Sequence, residues 1–299
     1  MDVLQEHLTR ARAVGGVFAR SIAEPPWGLA LPADIQLTVH AVVRGRVWLW
    51  TDEDAPTIEL GPGDLAVVRG GSEHFIAHEA GADCVSHEEF WARPAETSET
   101  ADRAVFLCGA YRFAGDIGKG LIEGLPRVFR VPASMDDPIN GIVTLLSREM
   151  LHDAPGKQTV LDRLLDVLVV LALRHGFAHS DDAPAWFAAA SDPRLGPVLH
   201  AMHAAPDHPW TVDELAHLGN MSRATFARSF QKALDQAPMQ YLTDWRMALA
   251  RDLLADRDLV LDVVARQVGY SSGYSFATAF RRHHGETPGR WRTRVQAIT

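Results

Sequence analysis

Long apolar runs, cysteine and basic charge are all scarce in this chain, and each scarcity closes off a class of function. Nowhere in the 299 residues does an apolar run approach the roughly eighteen needed for a membrane helix. The opening MDVLQEHLTRARAV carries acids and lacks the apolar centre of a secretory leader. A cytoplasmic protein with no membrane partner is the expectation. Only two cysteines occur, Cys84 and Cys108, too few for a disulfide framework and in keeping with a reducing compartment. A regulatory thiol pair is left open.

Acid outweighs base, with 38 Asp and Glu against 29 Lys and Arg for a net charge of −9. Spread evenly, this charge would repel nucleic acid. It is not spread evenly. From Asp207 to Thr299 there are twelve Lys and Arg against ten Asp and Glu, while the preceding residues hold seventeen against twenty-eight. The acidity therefore belongs to the N-terminal part. Five of the twelve basic residues, Arg281, Arg282, Arg290, Arg292 and Arg294, crowd the last nineteen positions, suited either to phosphates or simply to a solvated surface.

What is present is ordinary globular material, 47% hydrophobic and 22% charged, in a chain long enough for two cores. Residues 2–13 read as a short helix ended by Gly15-Gly16. From Val17 to about Phe113 the texture is short apolar or alternating runs, TVHAVV, RVWLW, TIEL, DLAVV, HFIAH and AVFLCGAYRF, separated by turn residues such as Gly45 and Gly61-Pro62-Gly63-Asp64. Close-spaced short strands of this kind predict an all-β sandwich or barrel. INGIVTLLSREMLHD and TVLDRLLDVLVVLALRH then carry apolar residues at helical spacing on either side of Ala154-Pro155-Gly156, which predicts an antiparallel pair. The second has a broad apolar face, Val160, Leu161, Leu164, Leu165, Leu168, Val169 and Leu171, suited either to a homodimer seam or to packing on the barrel. GFAHSDDAP, residues 176–184, reads as a linker.

One pattern is written twice in the C-terminal part. Phe226, Phe230, Pro238 and Tyr241 are answered fifty positions later by Phe276, Phe280, Pro288 and Trp291, and Leu215-Ala216 by Val264-Ala265, one residue out of step. A repeat of this length implies duplicated supersecondary units. Each copy reads as helix, turn, helix, with a small residue where two helices cross. Asp192 with Pro193 opens a preceding helix, Thr211 and Glu214 form a capping box, and Ser222 caps the next helix. At the turn Gly219-Asn220 one residue must turn left-handed.

MSRATFARSF, YLTDWRMALARDLL and VARQVGYSSGYSFATAFRRHHGETPGRW closely resemble the DNA-binding domain of the AraC family. HAVVRGRVWLW, ELGPGDLAVVRGGSEH and FLCGAYRF resemble the cupin-type sensor barrel of regulators in that family. The resemblance implies two domains. Residues 1–185 would form an all-β cupin-like barrel with flanking helices, including a helical dimerisation and linker region at about 138–185. Residues 186–299 would form an all-α domain with helix-turn-helix units at about 211–234 and 260–283. Each recognition helix would enter the major groove, one helical turn or about 34 Å apart. Matching positions assign DNA contact to Ser222, Arg223, Ala224, Thr225, Ala227 and Arg228 in the first unit. In the second they assign it to Ser272, Gly273, Tyr274, Ser275, Ala277, Thr278, Arg281 and Arg282. Arg228 is suited to a bidentate guanine contact. The second helix offers shorter side chains, Thr278 standing where a long polar residue is commoner in the family, so specificity is expected mainly from the first unit and phosphate anchoring from Ser272, Arg281 and Arg282.

The resemblance makes the barrel a sensor of a small molecule or stress signal, with His40, Trp48, His74 and Cys108 as candidate ligand or sensor residues. A full cupin metal set would place a second histidine two residues after His40, and Val42 stands there. No metal and no other cofactor is expected; His40 and His74 are read as hydrogen-bonding or ligand-contacting residues. His78, His87 and Cys84 are weaker candidates. The expected partners are double-stranded DNA, a small-molecule effector, RNA polymerase and a second copy of the chain. The function expected is a transcription regulator and not an enzyme. The alternative is a cupin metalloenzyme, or a redox or metal sensor, fused to a DNA-binding module.

Overall fold

The computed structural model describes residues 3–10, 14–51, 56–92, 103–113, 115–134, 138–151, 153–180, 183–256 and 258–296. The first elements are helix α1 (Val3–Arg10) and strands β1 (Val14–Ala23), β2 (Gly28–Leu31), β3 (Leu37–Arg44), β4 (Val47–Thr51), β5 (Ile58–Leu60), β6 (Leu65–Arg69), β7 (His74–Ala77) and β8 (Val85–Ser86). Helix α2 (His87–Ala92), strand β9 (Ala104–Arg112), helix α3 (Gly115–Glu123) and strand β10 (Val128–Val131) follow. Among the described residues only helices come after these: α4 (Pro138–Glu149), α5 (Lys157–Ala178), α6 (Ala185–Ala190), α7 (Leu195–Ala204), α8 (Val212–Leu218), α9 (Arg223–Leu234), α10 (Pro238–Leu254), α11 (Leu261–Gln267), α12 (Gly273–His284) and α13 (Pro288–Gln296).

The strands form two five-stranded sheets, ordered β1-β9-β3-β6-β10 and β5-β4-β7-β2-β8. Every pairing is antiparallel except β2 with β8. Leu29, Leu31, Val42, Leu49, Leu60, Val68, Ile76 and Phe106 belong to one buried core shared by the two sheets. Alternation explains β4, where Val47, Leu49 and Thr51 are buried and Trp48 and Trp50 are half-buried. Strand β3 departs from alternation and is buried from Leu37 to Val42, because its second face is covered by α4.

Gly63, with φ of 88°, turns the chain into β6. Asp64 then locks the turn: its carboxylate accepts from Gly61 N at 2.7 Å and Ala133 N at 2.7 Å and pairs with Arg130 at 2.8 Å. The expected stop at Gly15-Gly16 is instead part of β1, paired with Tyr111 and Ala110. The pairing partner supplied by β9 overrides the local breaker signal. Asp2 and residues 11–13 of the expected first helix lie outside the described residues. The expected linker also begins later. Gly176 and Phe177 are buried within α5, and a Cβ at Gly176 would come 2.6 Å from the Phe129 ring, so this glycine serves close packing. Residues 181–182 lie outside the described residues.

The chain divides into two compact units. One comprises Val14–Arg112 and Ile122–Asp182; the other comprises Ala183–Thr299 together with Met1–Ala13 and Phe113–Leu121. The second unit has two cores that meet along α10. Tyr241 and Leu242 join Leu215, Ala216, Phe226 and Phe230 in the first, where Val3 of α1 is also buried. Trp245, Leu249 and Leu254 join Val264, Ala265, Phe276, Phe280 and Trp291 in the second, with Ile117 of α3. Among the described residues no helix is long and apolar enough to cross a membrane.

Candidate nucleic-acid interface and barrel interior

The two units share the caps of their second helices and their turns but not the cap of the first helix, which on α11 is Val260 with no side-chain hydrogen bond. Thr211 and Glu214 form a complete capping box on α8. Ser222 caps α9 by accepting from Thr225 N at 3.3 Å, and Ser272 caps α12 by accepting from Ser275 N at 3.2 Å. The left-handed turn residues are Asn220, φ 51°, and Gly269, φ 80°. In both turns a backbone N–H returns to the crossing alanine, Met221 N to Ala216 O at 2.9 Å and Tyr270 N to Ala265 O at 2.8 Å. The two units hold this register until Met221 and Tyr270. The second then has one extra residue, Ser271, before its cap, which accounts for the one-residue slip in the repeat.

Phe226 and Phe230, like Phe276 and Phe280, are fully buried at i, i+4 spacing. On α9 this leaves Arg223, Ala224 and Arg228 exposed and Thr225 and Ala227 half-buried. Arg223 is held by Asp213 of α8 at 3.0 Å, whereas Arg228 makes no ion pair with any described residue. On α12, Tyr274 is 86% exposed; Thr278, Arg281 and Arg282 are exposed, and Ser275 and Ala277 are half-buried. Thr278 Oγ1 donates to Tyr274 O at 3.1 Å.

Gly273, expected on the outward face, is buried. Its N–H donates to Asp262 Oδ1 at 2.7 Å, and a Cβ there would sit 2.7 Å from the same oxygen. The position is a packed helix start with no side chain to offer a base.

Three further positioning residues went unread in the sequence. Asp213 and Asp262 occupy the same place on α8 and α11 and hold the start of the helix that follows. They lie in the same register as Ala216 and Ala265, so extending the repeat to charged residues finds them. Arg246 of α10 donates from Nε to Pro206 O at 2.6 Å and from Nη2 to His208 O at 2.8 Å, and it lies against Gly269. It ties the entry to the first unit to the turn of the second. No local pattern marks it, because its partners are backbone carbonyls about forty residues away.

In the barrel, β3, β7 and β9 bring three of the four candidate sensor residues together. His40 and Cys108 are cross-strand partners; His40 Nδ1 lies 3.1 Å from Cys108 Sγ, and His40 Nε2 lies 2.9 Å from His74 Nε2. All three are buried. Burial, with His74 adding to it, holds His40 well below the ordinary histidine value, and burial lowers His74 to about 4. Burial pushes the Cys108 thiol up. The cluster is thus neutral near pH 7. A thiol proton can be donated to His40 Nδ1, leaving His40 Nε2–H to donate to His74.

These residues do not fit a metal. Two imidazoles on one tetrahedral ion have their nitrogens about 3.3 Å apart, whereas His40 and His74 are in direct hydrogen-bond contact and Cys108 sits on the opposite edge of the His40 ring. Among the described residues no three His, Cys, Asp or Glu are grouped to hold a metal ion. Trp48, the fourth candidate, lies on the other face of β4 from Leu49 and Thr51 and does not join the cluster. His78 is held by the backbone of Trp27, and His87 packs on Trp91. Cys84 donates to Ala82 O, with its thiol raised by burial and then by Asp83 and Glu73.

Two known families match this chain, one described as Cupin over residues 2–178 and one as Helix-turn-helix domain over residues 215–294. The chain is 30% identical over 298 residues to a putative AraC-like transcription regulator of Streptomyces antibioticus, covering 98% of each chain. It is 27% identical over 278 residues to the HTH-type transcriptional regulator AlkR of Acinetobacter baylyi, covering 89% of this chain and 90% of that one. It is 28% identical over 308 residues to the RCS-specific HTH-type transcriptional activator RclR of Escherichia coli, covering 100% and 99%. With a cupin-type N-terminal domain, a duplicated helix-turn-helix reader and full-length regulators as relatives, the chain belongs to the AraC-like transcription regulators.

Proposed function

We propose that DNA recognition is divided unequally between the two readers, the α9 unit supplying most sequence discrimination and the α12 unit mostly backbone anchoring. The exposed Arg228 on α9, with no described acidic partner, carries this reading: its fork of donors suits a guanine edge. Arg223, Ala224, Thr225 and Ala227 complete that surface. On α12, Tyr274, Ser275, Ala277 and Thr278 offer shorter or apolar contacts, and Arg281 and Arg282 offer phosphate contacts. Ser222 and Ser272 contribute mainly as caps. Selection of bound DNA from random sequence yields the operator, and Arg228→Ala against Thr278→Ala on that operator tests the division. A larger loss for Thr278→Ala would sink it.

The regulator acts as a homodimer in this reading. On α5, Leu161, Leu165, Leu168 and Ala172 are buried, while Val160, Leu164, Val167 and Leu171 recur at coiled-coil spacing on another side. Val160 is 40% and Val167 48% exposed, and a second copy would cover that stripe. Sedimentation of the full chain and of a Val160→Glu, Val167→Glu double variant checks it: the variant is expected as a monomer.

The part up to residue 185 acts as the sensor of a small molecule or stress signal, the part from 186 as the DNA reader, and RNA polymerase is the expected partner at a promoter. A cytoplasmic, non-enzymatic role accompanies this reading, supported by the regulators among its relatives. A thiolate-based redox sensor is the less supported alternative, because both thiols are shifted toward the protonated form.

A further inference from the structure

The unit that holds the two readers also holds a cavity of about 310 Å³. It is an open cleft whose size falls in the range of small-molecule sites. Its walls are aromatic. Trp186 of α6 stacks on His7 of α1 at 4.1 Å, and Trp245 of α10 meets the His7 ring edge at 4.9 Å. Tyr241, one turn before Trp245, also lines the cavity.

Among the described lining residues Asp244 supplies a carboxylate and Gln236 an amide. Asp244 Oδ1 accepts from Gln240 Nε2 at 2.6 Å and lies 3.0 Å from His283 Nε2; its Oδ2 has no hydrogen-bond partner among the described residues. Aromatic rings beside a carboxylate with one oxygen unpartnered suit a flat ring system bearing positive charge.

We propose that this cavity binds a planar bicyclic aromatic molecule carrying one protonated amine, its ring among Trp186, Trp245 and Tyr241 and its amine on Asp244. The position gives the site a consequence. Tyr241, Asp244, Trp245 and Ala248 lie on one face of α10, the helix joining the two readers, and the Asp244 carboxylate is what His283 of α12 contacts. The cavity is completed by α1 and α3, so an occupant ties those two segments to α10. This regulatory consequence rests on the DNA-reading function described above; the binding itself does not.

The test uses the full-length protein and calorimetry with tryptamine as the cationic probe, tryptophol as its neutral counterpart and indole-3-acetate as its anionic one. One-to-one binding of tryptamine is expected, with tryptophol about tenfold weaker and indole-3-acetate weaker still. Asp244→Asn should abolish the preference for tryptamine over tryptophol. Gly120→Leu should abolish binding of both while leaving operator binding intact, since Gly120 lines the cavity and a Cβ there has no neighbour within 4 Å. Should that variant fail to fold, Ala248→Ile fills the cavity from α10. By linkage, tryptamine must shift operator affinity by the same factor by which operator shifts tryptamine affinity. No binding of tryptamine at millimolar concentration, or unchanged binding in the cavity-filled variant, overturns the site. Indole-3-acetate binding as tightly as tryptamine overturns the charge assignment, and a coupling factor of one overturns the regulatory consequence. Loss of operator binding without any probe would instead count against the DNA-reading function.

Discussion

The two helix-turn-helix units share a frame and differ at the start of the reading helix. In the first, Asp213 holds the side chain of Arg223; in the second, its counterpart Asp262 holds the backbone N–H of Gly273. The same carboxylate orients an exposed cation in one copy and anchors a bare helix end in the other. The two copies share their packing positions, which every copy of the motif needs, and differ at their surface positions.

If the frames are equivalent, removing a buried ring should cost the same in both. Phe230→Ala and Phe280→Ala are each expected to destabilise their unit by about 3–5 kcal/mol, read as paired shifts in urea midpoint. A negligible loss for either would break the equivalence.

The next effect separates the copies. Gly273→Ala forces a Cβ onto the Asp262 carboxylate and is expected to cost about 1–3 kcal/mol, while Arg223→Ala removes only a surface pair, worth less than about 1 kcal/mol. Thermal denaturation of the two variants measures this, and equal losses would contradict the assignment of Gly273 to packing.

On the operator the ranking reverses. Arg228→Ala should weaken binding by about 1–3 kcal/mol and relax preference at one base pair, with Thr278→Ala costing well under that in titrations at fixed salt. The smallest effect concerns the basic shoulder of α12. Replacing Arg281 and Arg282 by alanine should lower the slope of log affinity against log salt by about 2 without changing which sequence is preferred. An altered preference would move those residues from anchoring to readout.

Much of the reader was legible because its determinants are local. Thr211 with Glu214, Ser222, Ser272 and Asn220 act through hydrogen bonds or dihedrals within three or four residues, and the phenylalanine spacing declares its own buried face. The barrel was legible as a class, from short strands and the Gly-Asp turn, but its site only in part. His40 and His74 were singled out as residue types. Their contact spans 34 positions, and that of His40 with Cys108 spans 68, separations over which no periodicity operates. Trp48 does not join this cluster, for the related reason that the facing of a strand follows from its pairing register, which composition does not set.

The amino-acid sequence by itself determined the duplicated reader, its caps and turns, the β character of the N-terminal part and the separation of charge between the halves, all consequences of local propensity and repeated spacing. The tertiary structure alone decided three things. It closed His40, His74 and Cys108 into a neutral cluster with no common metal position, and it turned Gly273 inward. It also built α1 and most of α3 into the same unit as the readers. Each depends on which surfaces meet after the chain has folded back on itself, and short-range chemistry carries no record of that.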